Sequence, residues 1–158
     1  MVRHAEPGEV ETAIKVWRAA NPGSALQHHP ERLRRWSSEP GAYLHVALDG
    51  DHVVGMVLSV LGRAGDGAGD VIPGLRHVIG LSVVPARRRQ GVARSLLGAV
   101  IDEARQEACE RVTLWVHADN SAARQLFASV GFRSTGRSEP DDAGVETTHM
   151  ELLLRRPE

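Results

Sequence analysis

The sequence predicts an α/β protein with α+β character, a single mixed sheet in the order β-α-α-β-β-β-α-β-α-β-β. Three observations carry this. The apolar run Leu81 to Val84 is stopped by Pro85, which has no N–H for a strand ladder, and a helical stripe follows it. Asp49-Gly50-Asp51 lies between two apolar runs, a strong hairpin signal. A further apolar run, Val112 to Val116, follows the helix and pairs in parallel with the earlier strand if the crossover is right-handed.

Taken in order, Val2 to His4 reads as a short edge strand. Glu9 to Ala20 reads as a helix with Val10, Ala13, Ile14 and Trp17 on one side, ended by Asn21, Pro22 and Gly23. A loop holding His28 and His29 leads to a helix over Pro30 to Trp36, with Pro30 suited to its first turn. Ala42 to Leu48 and His52 to Leu61 form the hairpin, and Gly62 to Gly74 reads as a long connection. The next strand, Leu75 to Val84, enters a helix whose stripe is Val92, Leu96, Leu97, Val100, Ile101, Ala104 and Ala108. Asn120 or Asp119 caps the following helix, whose stripe is Ala123, Leu126, Phe127 and Val130. Gly131 closes it at C′, with Phe132 folding back onto the last turn. Phe132 to Arg137 and Glu146 to Leu154 make a final antiparallel pair across the loop Ser138 to Gly144.

At 158 residues the chain supports one domain with a real core, and no linker or repeat is visible. A formal net charge of -1 gives no general drive toward nucleic acid or membrane, so any basic cluster is a local device. No apolar run is long enough to span a bilayer, and the polar N-terminus does not read as a signal peptide. The lone Cys109 excludes an internal disulfide, and no histidines fall at zinc-ligand spacing, so no metal is expected. A cytoplasmic protein is the simplest expectation.

The unusual stretch is the turn after Pro85. A helix N-terminus carries roughly half a positive charge and unsatisfied N–H groups, and acidic residues are favoured there. This chain instead places Arg87, Arg88 and Arg89 beside the helix start and Arg94 in its first turn. Gly91 and Ala93 leave the amides open. An anion, ordinarily a phosphate, accounts for that arrangement; a solvated loop is the alternative. Other phosphate loops fit poorly. The chain has no G-x-x-x-x-G-K-[ST], and Gly62, Gly65, Gly67 and Gly69 miss the G-x-G-x-x-G spacing.

Arg88-x-x-Gly91-x-Ala93, between a strand and a helix, resembles the acyl-CoA pyrophosphate loop of the GNAT superfamily of N-acetyltransferases. Asn120-x-x-Ala123-x-x-Leu126-Phe127-x-x-x-Gly131-Phe132 resembles the family's N-x-x-A-x-x-[LF]-Y-x-x-x-G-F, and the element order is the family's over nearly the whole chain. The resemblance implies one domain over 1–158, with a mixed sheet of about six to seven strands, a splayed parallel pair and about four helices. It also implies transfer of an acetyl group from acetyl-CoA, as co-substrate, to a primary amine. On the same basis Leu81 and Val83 offer backbone groups to the pantetheine arm. Gly91, Val92 and Ala93, helped by Arg88 and Arg89, hold the pyrophosphate, and Asn120 reaches the cofactor from the other wall. The partners implied are acetyl-CoA and a small-molecule or peptide amine, with a homodimer left open.

Two departures from the family bear on the chemistry. The tyrosine that many members use for the leaving thiolate is Phe127 here, which cannot donate; Tyr43, Ser121, Ser129 or water are the substitutes. Where histone-type members carry a glutamate before the pyrophosphate loop, counting back from Arg88 gives His77, an imidazole suited to base work near neutrality. An ordinary strand histidine is the competing reading of His77. His117, ending the strand before Asn120, is the second candidate catalytic residue. His28 and His29 would border the acceptor. His149 lies on the last strand, and Trp17 and Trp36 read as core or cleft wall. The loop acids Asp66, Asp70, Asp141 and Asp142 are compatible with a cationic acceptor. The rival functional class is an acyl-CoA-binding sensor without turnover, for which Phe127 is the only support.

Overall fold

The computed structural model describes residues 1–21, 30–65 and 67–154, and over them the expected element order is found. In chain order the elements are β1 (Val2–His4), α1 (Val10–Ala20), α2 (Pro30–Ser37), β2 (Tyr43–Asp49), β3 (His52–Arg63), β4 (Val71–Val83), α3 (Val92–Gln106), β5 (Arg111–His117), α4 (Ser121–Val130), β6 (Arg133–Pro140) and β7 (Glu146–Leu153). The strands form one seven-stranded sheet, ordered β1-β2-β3-β4-β5-β7-β6. β4 and β5 are parallel, and the β1/β2, β2/β3, β5/β7 and β6/β7 pairs are antiparallel. Pro22, Gly23, His28, His29 and Asp66 lie outside the described residues. No helix among those described is long and apolar enough to cross a membrane.

The chain divides into two compact units. The first comprises Met1–Val60 and Ile79–Asp102. Its core is built from Ala13, Ile14, Val16 and Trp17 of α1, Leu33 of α2, and Val46, Met56 and Leu58 of β2 and β3. These are the positions the helical stripe and the strand alternation require. The 3-10 turn over Pro7–Glu9 that leads into α1 is closed by a capping box in which the Glu6 N–H donates to the Glu9 carboxylate at 2.8 Å. Arg3 donates to both oxygens of that carboxylate, at 2.6 and 3.0 Å. The Arg3 guanidinium holds the Glu9 carboxyl below its ordinary range.

At the hairpin, Asp49 and His52 pair directly, so the central residues are Gly50 and Asp51 rather than Asp49 and Gly50. Gly50 has φ +60°, which fits a type II′ turn with glycine first. Gly55 on β3 has a packing reason. A Cβ there would stand 2.9 Å from Leu96 Cδ1, 3.1 Å from Val92 Cγ1 and 3.2 Å from the Ser82 carbonyl oxygen.

The second unit comprises Leu61–Val78 and the chain from Glu103 onward. The register of β4 with β5 runs from Leu75↔Arg111 to Val78↔Leu114, and both strands continue beyond it. Phe127 and Phe132 are buried and pack ring to ring at 5.8 Å. Gly131 takes φ +114° at the end of α4, and the Phe132 N–H returns to the Phe127 carbonyl at 3.0 Å, the C′ glycine the sequence called for.

Three boundaries differ from expectation. The Gly62–Gly74 connection shrinks to residues 64–70, because β3 runs to Arg63 and β4 starts at Val71. Gly62 is a strand residue whose missing Cβ makes room for the Leu75 side chain. The Ser138–Gly144 loop likewise shrinks, β6 reaching Pro140, with the Asp141 N–H bonded to the Val145 carbonyl at 2.8 Å. Ala108 does not extend the α3 stripe: the helix stops at Gln106, and Ala108 is exposed with φ +57°.

Candidate active site

In the first unit β4 ends at Val83, with Leu81 half-buried and Val83 buried. Asn21, just past α1, donates to the Trp17 carbonyl at 2.7 Å and to the Ser82 hydroxyl at 2.9 Å, tying the helix end to the strand end. A short 3-10 turn over Pro85–Arg87 follows, then Arg88 in an extended conformation. Arg89 has φ +63° and Gly91 φ +80°, so the chain twists through two left-handed residues before α3 begins at Val92. A Cβ on Gly91 would meet nothing within 4 Å, which leaves the approach to the first-turn amides open. Those amides have no acceptors within the helix, and its first turn holds no acidic residue.

The arginines separate into different roles. Arg87 is paired with Asp49 of the β2–β3 hairpin, which makes it a brace for the loop. Arg88 is exposed and touches the Ala20 carbonyl at 3.3 Å. Arg89 is exposed and has no side-chain partner among the described residues. A non-glycine residue in the left-handed region is uncommon and concentrates at ligand-binding loops. The turn therefore holds two exposed guanidinium groups beside helix-terminal N–H groups, chemistry that suits a phosphate anion.

In the second unit, His77 and Thr113 stand opposite each other in the parallel ladder, with His77 Nδ1 2.8 Å from Thr113 Oγ1. The rank continues through Thr113↔Glu151 to Arg133↔Glu151, and Arg111 reaches Glu151 at 3.5 Å. Trp115 is next on that face. His149 lies 4.7 Å from its ring and Arg137 5.1 Å over it, and His149 Nδ1 is 2.8 Å from Thr135 Oγ1. His117 ends the row. Its Nε2 is 3.1 Å from Asp141 Oδ2, and its carbonyl accepts the Asn120 N–H at 3.0 Å. His77 lies across from Thr113, four residues before His117 on β5, so the two histidines are roughly 14 Å apart at a rise of about 3.3 Å per residue and a strand spacing of about 4.8 Å.

Asn120 caps α4, its Oδ1 accepting the Ala123 N–H at 3.2 Å. Its amide NH₂ remains for a second contact. Asn120→Ala should lower stability by about 1 kcal/mol, read from the urea midpoint. Of the substitutes for a tyrosine at 127, the Ser129 hydroxyl is turned back to the Leu126 carbonyl at 2.7 Å, and Tyr43 lies edge-on to His4. Asp141 is a partner of His117 before it is a loop acid, while the Asp70 carbonyl closes the β3–β4 turn by accepting the Ala64 N–H at 3.0 Å. Sequence reasoning missed Thr113 and the Asp141 contact; both need a register or a turn geometry that local pattern does not carry.

The acetyltransferase (GNAT) family profile matches residues 11–132. The chain belongs to the GNAT acetyltransferase family. A mycothiol acetyltransferase of Kocuria rhizophila is 33% identical over 139 residues, covering 80% of this chain and 44% of that protein. This GNAT chain thus spans less than half the length of that relative. Among solved structures, a GCN5-related N-acetyltransferase from Kribbella flavida superposes with TM-score 0.77 at 26% identity, over 98% of this chain and 97% of that one. A putative acetyltransferase from Salmonella typhimurium, solved with acetyl-CoA, gives TM-score 0.78 at 20% identity, over 100% and 95% of the two chains. In this GNAT member the Phe127 ring is packed on Phe132, so position 127 contributes apolar core and no proton.

Proposed function

We propose that the chain moves an acetyl group from acetyl-CoA to a primary amine. The observation that carries this is the loop before α3: Arg88, the left-handed Arg89 and the open Gly91 at a helix start that holds no acid. Arg88 and Arg89 with the Gly91, Val92 and Ala93 amides would hold the pyrophosphate. Leu81 and Val83 would offer strand backbone to the pantetheine, and Asn120 would supply its free NH₂. Acetyl-CoA supplies the activated acetyl thioester. Overall an ammonium and a thioester give an amide, a thiol and one proton: the N–C bond forms and the C–S bond breaks. Of the two protons leaving nitrogen, one goes to sulfur and one to a base of the protein. His77 and His117 are the imidazoles offered for that base. The relatives' name supports an acceptor in the mycothiol series as the first amine to try.

The test is thiol release from acetyl-CoA across a panel of amines that includes the mycothiol series, with acetyl-CoA affinity measured separately by calorimetry. Arg88→Ala should raise the KM for acetyl-CoA about tenfold, the loss of one charge-assisted contact of roughly 1.5 kcal/mol. Unchanged affinity would remove the loop assignment. Binding with no turnover on any amine would sink the transferase reading and favour a sensor.

A further inference from the structure

We infer that Asp141 is a positioning residue that locks His117 into the tautomer whose Nδ1 is the base. The kinetic part rests on the transferase reading above; the structural part does not. Asp141 follows β6 in a tight turn that satisfies its carboxylate from several sides. Oδ1 accepts the Ala143 and Val145 N–H groups, each at 2.9 Å, while Oδ2 faces His117 Nε2 at 3.1 Å. The turn is itself closed by the Asp141 N–H to the Val145 carbonyl and the Gly144 N–H to the Asp141 carbonyl. Burial pushes the Asp141 carboxyl up, but the Val145 N–H, the His117 ring and the Ala143 N–H outweigh it and leave it below its ordinary range.

A carboxylate only accepts hydrogen bonds, so the nitrogen facing it must carry hydrogen. In neutral His117 the hydrogen sits on Nε2 and the lone pair on Nδ1. The side chain is 40% exposed, so the imidazole is not sealed off from a substrate. His77 lacks this determination. At Nδ1 it faces the Thr113 hydroxyl, which can donate or accept, so that contact by itself selects neither tautomer. His117 also ends β5 and is bonded through its carbonyl to the cap of α4, which anchors the backbone as Asp141 anchors the ring.

The experiment combines two readouts. Nitrogen-15 NMR of the full chain without substrate should show neutral His117 protonated at Nε2. In Asp141→Asn, Oδ1 still serves the two backbone N–H groups, so the NH₂ faces the ring and His117 should switch to the Nδ1–H form. With the amine found in the panel, kcat should then fall about 10²–10⁴-fold while acetyl-CoA affinity stays within about threefold. His117→Ala should fall as far, and the double variant no further. An Nδ1–H tautomer in the unmodified protein overturns the inference whether or not the variant folds. So does Asp141→Asn with a switched tautomer and undiminished kcat. If no amine is turned over, the transferase reading fails alone, since the tautomer is measured without turnover.

Discussion

Glu107→Leu is expected to destabilise the protein by about 2–4 kcal/mol, because it takes the neutralising carboxylate away from a buried guanidinium. Arg76 on β4 is fully buried, and its Nη2 donates to Glu107 Oε2 at 2.9 Å, just beyond the end of α3. Glu107 is the wetter partner, 31% exposed, which places the effect somewhat below that of a wholly buried pair. The reverse replacement should behave differently. Arg76→Met removes the buried charge and leaves a carboxylate that water can reach, so its cost should be within about 1.5 kcal/mol. Urea unfolding of both variants decides the matter; equal losses would mean that the ion pair's own attraction, and not the un-neutralised buried charge, is what counts. The neighbouring Cys109 thiol is pushed up by burial, with Arg76 opposing only in part, so this cysteine stays protonated and serves as packing.

Gly55→Val should damage stability and acetyl-CoA binding together. The added carbons have to displace Leu96 and Val92 of α3 or the Ser82 backbone, and the last cannot yield cheaply. Overpacking of this kind costs about 1–3 kcal/mol. Because Val92 is the first residue of α3, the strain falls on the turn that presents the amides, and affinity for acetyl-CoA should weaken by about tenfold or more. Gly98, in the middle of the same helix, is the control. A Cβ there meets nothing within 4 Å, so Gly98→Ala should stabilise the helix by about 0.5–1 kcal/mol and leave binding unchanged. Calorimetry and thermal melting of the pair separate a general helix effect from displacement of its first turn.

Much of this was legible locally. The Asn120 cap, the Gly131 terminus, the α3 stripe up to Ala104 and the strand before Pro85 are each written within a few neighbouring residues, where propensity and periodicity act. The turn between Pro85 and the start of α3 at Val92 was legible for the same reason. What failed was non-local. Gly62 read as the start of the connection after β3, yet it is a strand residue whose missing Cβ leaves space for Leu75 from the next strand. Arg87 read as part of an anion cluster, but Asp49, brought close by the hairpin, takes it. The His77–Thr113 and His117–Asp141 pairs depend on a parallel register and on a turn, and neither shows in a run of sequence.

The left-handed conformation of Arg89 has a further consequence for how a ligand would be met. A side chain with a Cβ in that region costs roughly 1–2 kcal/mol relative to an ordinary backbone, whereas glycine would adopt it freely. Glycine would also wander, and its ordering would then be charged to the binding event. Arginine shifts that cost to folding. The ligand-free protein carries the strain at all times, and recognition begins from a loop already bent into shape.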